Sequence, residues 1–332
     1  MAALRNVSTD VPGLRGMLVA AGFGTRLRPL TDELPKPAVP VANRPLGTYA
    51  LSHLAAAGVR DLVINTHHLA QALRRSFEPH VGVLTSTGGG VAYVHEPRIL
   101  GTGGGVKNAW RPPREGPFVV MNAKLLFAPD VAQLLAVHTA SDALVTLVVR
   151  PMPPFAKFGP VDVDDEGRVR AVLAEPRNPS LQRCMFTGVY ALSPRAHALL
   201  PDQGCLFRNG IVAWLAAGER VMAVIDSGPF ADVGQSLDHY HAANMDLVSG
   251  RRTWPGVQPD PETEVLMGAR AQVDPRACLR RCVVGSGARV GPVRLEDTVL
   301  WPGASVDRDL TAAIVTGTGR IVSVGQGSNE DA

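Results

Sequence analysis

Short apolar runs and amphipathic stretches alternate through the first half of the chain. Residues 17–21 form an uninterrupted apolar run, too short for a helix and suited to a strand covered on both faces. Residues 46–57 are apolar at helical spacing and stop at Gly58, a residue fitted to the left-handed turn that ends a helix. A second buried strand is predicted over 61–65, a second helix over 69–77, and further strands over 91–94 and 118–121. The alternation predicts an α/β fold, with a Rossmann-like, mostly parallel mixed sheet flanked by helices. Ligands in such sheets sit outside the carboxyl ends of the strands. The glycine turn at Gly22, the Thr66-His67-His68 segment and Asn122 all fall at such ends.

From Asp142 the rhythm changes to strands and tight turns: 143–150, 161–163, a turn at 164–167, then 169–174, a hairpin or meander added to the main sheet. Helical spacing returns over 196–200 and 211–217, a last strand is predicted over 221–224, and a closing helix over 239–247. Residues 255–261 are a proline-rich linker. Beyond it one turn motif recurs, leading to Val273, Val290 and Val306 at intervals of 17 and 16 residues. A period with one small and one β-branched residue per unit predicts stacked coils of a small parallel β-helix. The expected organisation is a disordered N-terminus (1–14), a main α/β domain (15–250), a linker (251–262), a β-helix-like domain (263–324) and a disordered tail (325–332).

Composition narrows the function classes. A chain of 332 residues with 45% hydrophobic content exceeds the size of a usual single core, so two domains are expected. A net charge of +3, without basic runs, gives no case for a nucleic-acid partner. No apolar run reaches the roughly 20 residues of a membrane span, and the first dozen residues lack a signal peptide's pattern, so a cytoplasmic location without membrane partners is expected. Cys184, Cys205, Cys278 and Cys282 offer neither a disulfide framework nor a zinc set, and read as free buried thiols.

The chemistry begins at Leu18-Val19-Ala20-Ala21-Gly22-Phe23-Gly24-Thr25-Arg26-Leu27-Arg28-Pro29-Leu30-Thr31, followed by Pro35-Lys36-Pro37. Gly22 and Gly24 permit a sharp turn that leaves backbone N–H groups open to an anion, and Arg26 and Lys36 add two cations just beyond it. The combination suits a triphosphate. It is neither the phosphate loop closed by Gly-Lys-Ser/Thr nor the dinucleotide fingerprint with a third glycine. A second glycine-dense stretch, His95-Glu96-Pro97-Arg98-Ile99-Leu100-Gly101-Thr102-Gly103-Gly104-Gly105, would let backbone lie flush against a flat ring.

Together the two motifs resemble those of the sugar-1-phosphate nucleotidylyltransferases, including its mannose-1-phosphate guanylyltransferase-like members, over residues 15–247; the tail resembles a degenerate hexapeptide-repeat left-handed β-helix. The resemblance implies that Ala20, Ala21, Gly22, Gly24, Thr25, Arg26, Glu96, Gly101 and Thr102 bind the nucleotide, with Arg26 and Lys36 catalytic. It implies a sugar-phosphate side made of Asn122, Gly159 in the segment 155–161, Glu175, Arg177, Thr187 and Gly188. Asp232, in Asp232-Val233-Gly234-Gln235, resembles the family's magnesium ligand. The family's other ligand is an Asp in a Gly-Asp pair, where this chain has Ala123-Lys124; an ammonium cannot ligate Mg²⁺. A single weak magnesium site is therefore expected. Glu175-Pro176-Arg177 replaces the family's Glu-Lys-Pro. His67-His68, lacking a third ligand, reads as packing or capping.

The implied reaction joins a sugar 1-phosphate, expected to be mannose 1-phosphate, to a nucleoside triphosphate, expected to be GTP. Its products are a nucleotide sugar and pyrophosphate. Two alternatives stand: a non-catalytic regulatory homologue that binds nucleotide sugar, and a uridylyltransferase for an amino sugar 1-phosphate. A second copy of the chain or a catalytic paralogue are the candidate protein partners.

Overall fold

A computed structural model describes residues 14–86, 88–110, 115–152, 159–175 and 177–325. The expected frayed ends up to residue 13 and from 326, most of the 155–161 segment and Pro176 lie outside the described residues. Leu14, assigned from sequence to the frayed N-terminus, is buried at 1% exposure, and its carbonyl accepts from Arg60 N–H. The chain forms two compact units, residues 1–23 with 47–230 and residues 24–46 with 231–332. The sequence-based boundary at 251–262 differs from this division, which assigns a loop near the N-terminus to the C-terminal unit.

The first unit is built on a nine-stranded mixed sheet. Its strands are β1 (Arg15–Val19), β2 (Asp61–Thr66), β3 (Gly90–His95), β4 (Phe118–Asn122), β5 (Val145–Pro151), β6 (Pro160–Val163), β7 (Val169–Val172), β8 (Gln182–Leu192) and β9 (Val221–Ile225). The order is β7-β6-β8-β4-β1-β2-β3, with β5 on β8 and β9 on β5. β1 pairs in parallel with β4 and β2, and β2 with β3, as expected for strands joined by helical crossovers. Those helices are α1 (Gly47–Ala56), α2 (Ala70–Phe77) and α3 (Gly101–Ala109). A fourth, α4 (Val131–Ala140), is capped by Asp130, whose Oδ1 accepts from Gln133 N–H at 2.9 Å; the hydrophobic pattern had not marked it.

β8 organises the antiparallel half. It pairs with β6 near its start and with β4 near its end, and a register shift between Phe186 and Val189 marks the change. Gly188 sits in that bulge at φ +93°, a conformation that favours glycine, and an added Cβ would lie 2.3 Å from Asn122 Nδ2. Trp110 stacks on Phe118 with ring centroids 4.6 Å apart, and both rings belong to the main core with Met17, Val120 and Leu147.

The second unit carries the repeat. Strands β10 (Val265–Met267), β12 (Cys278–Val284), β14 (Arg294–Leu300) and β16 (Leu310–Val315) stack in parallel, while β11 (Gln272–Val273), β13 (Arg289–Val290) and β15 (Ser305–Val306) form a second parallel sheet. The chain thus alternates between two sheets, and the periodic Val273, Val290 and Val306 are register partners. A last strand, β17 (Ile321–Ser323), runs antiparallel to β16 and ends the stack.

Glu264, Arg281, Asp297 and Ala312 recur at matching places, each with φ between 48° and 56°. Arg281 binds Asp297 bidentately, through Nε to Oδ1 and Nη2 to Oδ2, so the charge partners occupy successive rungs. Burial raises the thiols of Cys184 and Cys282 to about 11, in keeping with the expected buried thiols; Cys205 is only half-buried and Cys278 exposed.

Helix α5 (Leu237–Val248) ties the early loop to these strands. Tyr240 Oη donates to Pro40 O at 2.5 Å and accepts from Trp301 Nε1–H at 2.9 Å; Asn244 Oδ1 accepts from Ala42 N–H at 2.8 Å. Asn43 Nδ2 donates to Val284 O at 2.9 Å. These buried polar contacts and the apolar packing around them draw residues 24–46 into the C-terminal unit.

Candidate functional site

In the second unit, the loop after the double glycine enters a short 3-10 turn, Thr25–Leu27, capped by Gly24 at φ +69°. A Cβ on Gly24 would lie 2.9 Å from Thr31 Cγ2 and 3.2 Å from Lys36 Cβ, so close approach as well as backbone sign calls for glycine here. The N–H groups of Gly24, Thr25 and Arg26 meet no acceptor among the described residues. Arg26 Nη1 donates to Gln235 Oε1 at 2.6 Å, and Lys36 Nζ donates to Gly234 O at 2.9 Å. Asp232 closes the cluster: its Oδ1 accepts from Gly234 N–H at 3.1 Å and its Oδ2 from Gln235 Nε2 at 2.7 Å. Arg26, Lys36 and Asp232, distant in sequence, thus share the turn 232–235. Electrostatically it joins two cations and one carboxylate that is only 8% exposed.

In the first unit the carboxyl ends of β1, β2 and β3 meet through one amide. Asn65 Oδ1 accepts from Ala20 N–H at 2.7 Å and Ala21 N–H at 3.4 Å, while its Nδ2 donates to Glu96 Oε1 at 2.7 Å. Glu96 Oε2 in turn accepts from Leu100 N–H at 3.1 Å. Gly105 must be bare for this pair to form, since a Cβ there would lie 2.8 Å from Glu96 Oε1. These partners fix the local backbone. The amides of Ala20 and Ala21 serve Asn65, and Gly22 N–H donates to Ala20 O, so in this state the open amides begin after Gly22. Glu96 is 1% exposed and braces the loop into α3.

The glycines of that loop allow a close approach of backbone segments. Cβ atoms added to Gly101 and Gly104 would lie 2.5 Å from the carbonyl oxygens of Gly204 and Asp202, and one on Gly103 would lie 2.6 Å from Pro201. The bare backbone is therefore packed against residues 201–204, and Thr102 Oγ1 accepts from Leu206 N–H at 2.9 Å. His67 Nδ1 lies 2.6 Å from Glu96 O, and exposed Phe23 meets the His67 ring edge-on, so the imidazole is a packing group.

The sugar-side candidates all lie in the first unit. Asn122 contacts the Gly188 bulge. Thr187 is buried and its hydroxyl donates to Val148 O at 2.6 Å, a role inside the sheet. Glu175 is exposed and pairs with Arg183 Nη1 at 2.9 Å; Arg183 is fixed in turn by Asp162, with Nε at 3.0 Å from Oδ1. Arg177 is exposed, and Gly159 is exposed beside Leu173. Reading the sequence missed Asn65, Gln235 and the Arg183–Asp162 pair; the one legible signal was Asn65 itself, a polar residue in an apolar strand.

No three His, Cys, Asp or Glu side chains gather as a metal site among the described residues. The donor set at Asp232 is one buried carboxylate with hydrogen bonds on both oxygens. It fits a magnesium ion that keeps most of its shell as water and ligand oxygens, and not an all-protein cage.

A family model described as "Nucleotidyl transferase" matches residues 15–250. The mannose-1-phosphate guanylyltransferase of Mycobacterium tuberculosis is 34% identical over 297 residues, covering 88% of this chain and 80% of that protein. The mannose-1-phosphate guanyltransferase of Yarrowia lipolytica is 28% identical over 271 residues, covering 80% and 72%. The UTP–glucose-1-phosphate uridylyltransferase of Synechocystis is 27% identical over 255 residues, covering 69% and 62%. Among solved structures, HddC from Yersinia pseudotuberculosis complexed with GMP-PN shares the fold, with a TM-score of 0.57 and 21% identity over 70% of this chain and 98% of that one.

Proposed function

The chain belongs to the nucleotidyl transferase family, and from that premise we propose that it makes a nucleotide sugar from mannose 1-phosphate and GTP. The observation that carries this reading is the shared turn 232–235, where Arg26, Lys36 and Asp232 come together. The names of the relatives support the choice of sugar and base.

In the proposed reaction a phosphate oxygen of mannose 1-phosphate attacks the α-phosphorus of GTP, forming a new P–O bond. The bond between the α-phosphorus and the bridging oxygen breaks, and that oxygen leaves with the electron pair as part of pyrophosphate. Charge therefore grows on the leaving group, and the protein's task is positioning and neutralisation. Arg26 stands beside the open amides of Gly24 and Thr25 and holds the β- and γ-phosphates. Lys36, its ammonium steadied by Gly234 O, holds the α-phosphate and the incoming phosphate. Asp232 would hold a magnesium ion, which when bound supplies further neutralisation of phosphate charge.

The deciding assay is pyrophosphate release from GTP and mannose 1-phosphate with magnesium, with UTP and an amino sugar 1-phosphate in parallel. Wild type turns over with the first pair, and Arg26→Ala lowers the rate by about 10²-fold or more. Turnover with UTP alone replaces this reading by the uridylyltransferase one. Lys124, a cation where a metal-binding Asp is expected, favours the regulatory alternative. An Ala123→Gly/Lys124→Asp variant that is active while the wild type is silent establishes that alternative.

A further inference from the structure

A neutral side chain stands between Arg26 and Asp232. Gln235 Oε1 accepts from Arg26 Nη1 at 2.6 Å, and Gln235 Nε2 donates to Asp232 Oδ2 at 2.7 Å. Only one orientation of the amide works. Flipped, it would set NH₂ against guanidinium donors and a carbonyl oxygen against a carboxylate, losing both hydrogen bonds. Asp232 is held on its other oxygen by Gly234 N–H at 3.1 Å and is nearly buried, so the far end of the bridge is anchored.

Arg26 is the opposite: a long, exposed side chain whose only side-chain partner among the described residues is Gln235. Such a chain wanders through many rotamers unless something holds it. A guanidinium that can reach a carboxylate directly pairs with it bidentately; here one amide joins the two instead. It orients Arg26 through one N–H, leaves the other guanidinium donors to an anion, and keeps Asp232 from being neutralised by Arg26.

We propose that Gln235 is a positioning residue for the triphosphate grip: it holds Arg26 apart from Asp232 so that the guanidinium faces the phosphates. The inference rests on the nucleotidyl-transfer reading above. The test is GTP binding with magnesium, measured by calorimetry on wild type, Arg26→Ala, Gln235→Met and Gln235→Glu, with KM for GTP and kcat beside it. Gln235→Met keeps the length but neither hydrogen bond, and should weaken GTP binding about tenfold, raising KM more than it lowers kcat. Gln235→Glu pairs with Arg26 as an ion and competes with the phosphates, so it should bind GTP more weakly than Gln235→Met. Should Gln235→Met fold poorly, Gln235→Glu carries the same readout. Gln235 variants that bind GTP as tightly as wild type, while Arg26→Ala binds weakly, overturn the bridge and leave the reading intact. Unchanged GTP binding in Arg26→Ala overturns both.

Discussion

Protonating His138 should destabilise the protein by about 3 kcal/mol, and the loss should fall between neutral pH and pH 4. The imidazole is 4% exposed, on α4 against β5, with Nδ1 3.0 Å from Thr146 Oγ1 and Nε2 3.1 Å from Ser193 Oγ. Ser193 donates its own proton to Ala143 O, so it must accept from Nε2–H, and Nδ1 then accepts from Thr146. The neutral tautomer satisfies every group. A second ring proton would face the proton of Thr146. Burial is the largest cause of a pKa lowered from 6.5 to about 4; Arg195 lowers it further, and Asp142 opposes the shift.

The sign follows from that order. The unfolded chain takes up the proton first, so the stabilisation is complete above pH 6.5 and is lost as pH falls toward 4. The interval from 6.5 to about 4, at 1.36 kcal/mol per pH unit, gives roughly 3 kcal/mol. Urea unfolding at pH 7 and pH 4, on wild type and His138→Gln, measures it. Glutamine can keep both hydrogen bonds but cannot titrate, so its stability should fall less, by about that amount. Parallel pH profiles for the two proteins, or an NMR titration of His138 near pH 6.5, would refute the argument.

Two further perturbations test the frame. Gly188→Ala places a Cβ 2.3 Å from Asn122 Nδ2 at a φ of +93°, and should cost about 1–3 kcal/mol, read as a lower Tm. Glu33 Oε1 accepts from the hydroxyls of Thr316 and Thr318, both at 2.7 Å. Glu33→Ala should therefore speed hydrogen exchange around 316–320 and cost about 1–3 kcal/mol, whereas unchanged exchange there would deny the latch any role.

The parts legible in the sequence are those set by short-range physics. Apolar runs and glycine breaks located β1, β2 and β4, because burial on both faces demands an unbroken apolar strand. The regular spacing of Val273, Val290 and Val306 was visible in the sequence, and the three are parallel register partners. Gly24 could be read as a turn because few other residues accept its φ. The helix α4 escaped, being apolar on too many sides to show a stripe; its buried residues are Val131, Leu134, Leu135 and His138.

What tertiary structure alone decided is the partner of each polar group. Glycines 101, 103 and 104 could be read as a close approach, but that residues 201–204 are what they pack against is visible only in the fold. The amides of Ala20 and Ala21 donate to Asn65, which lies 45 and 44 residues away. Gln235, unremarkable in the sequence, came to bridge Arg26 and Asp232 across 209 positions of chain. A residue's type states what it can donate or accept. Which partner it finds depends on folding to bring distant segments within about 3 Å, and that distance is written in no local pattern.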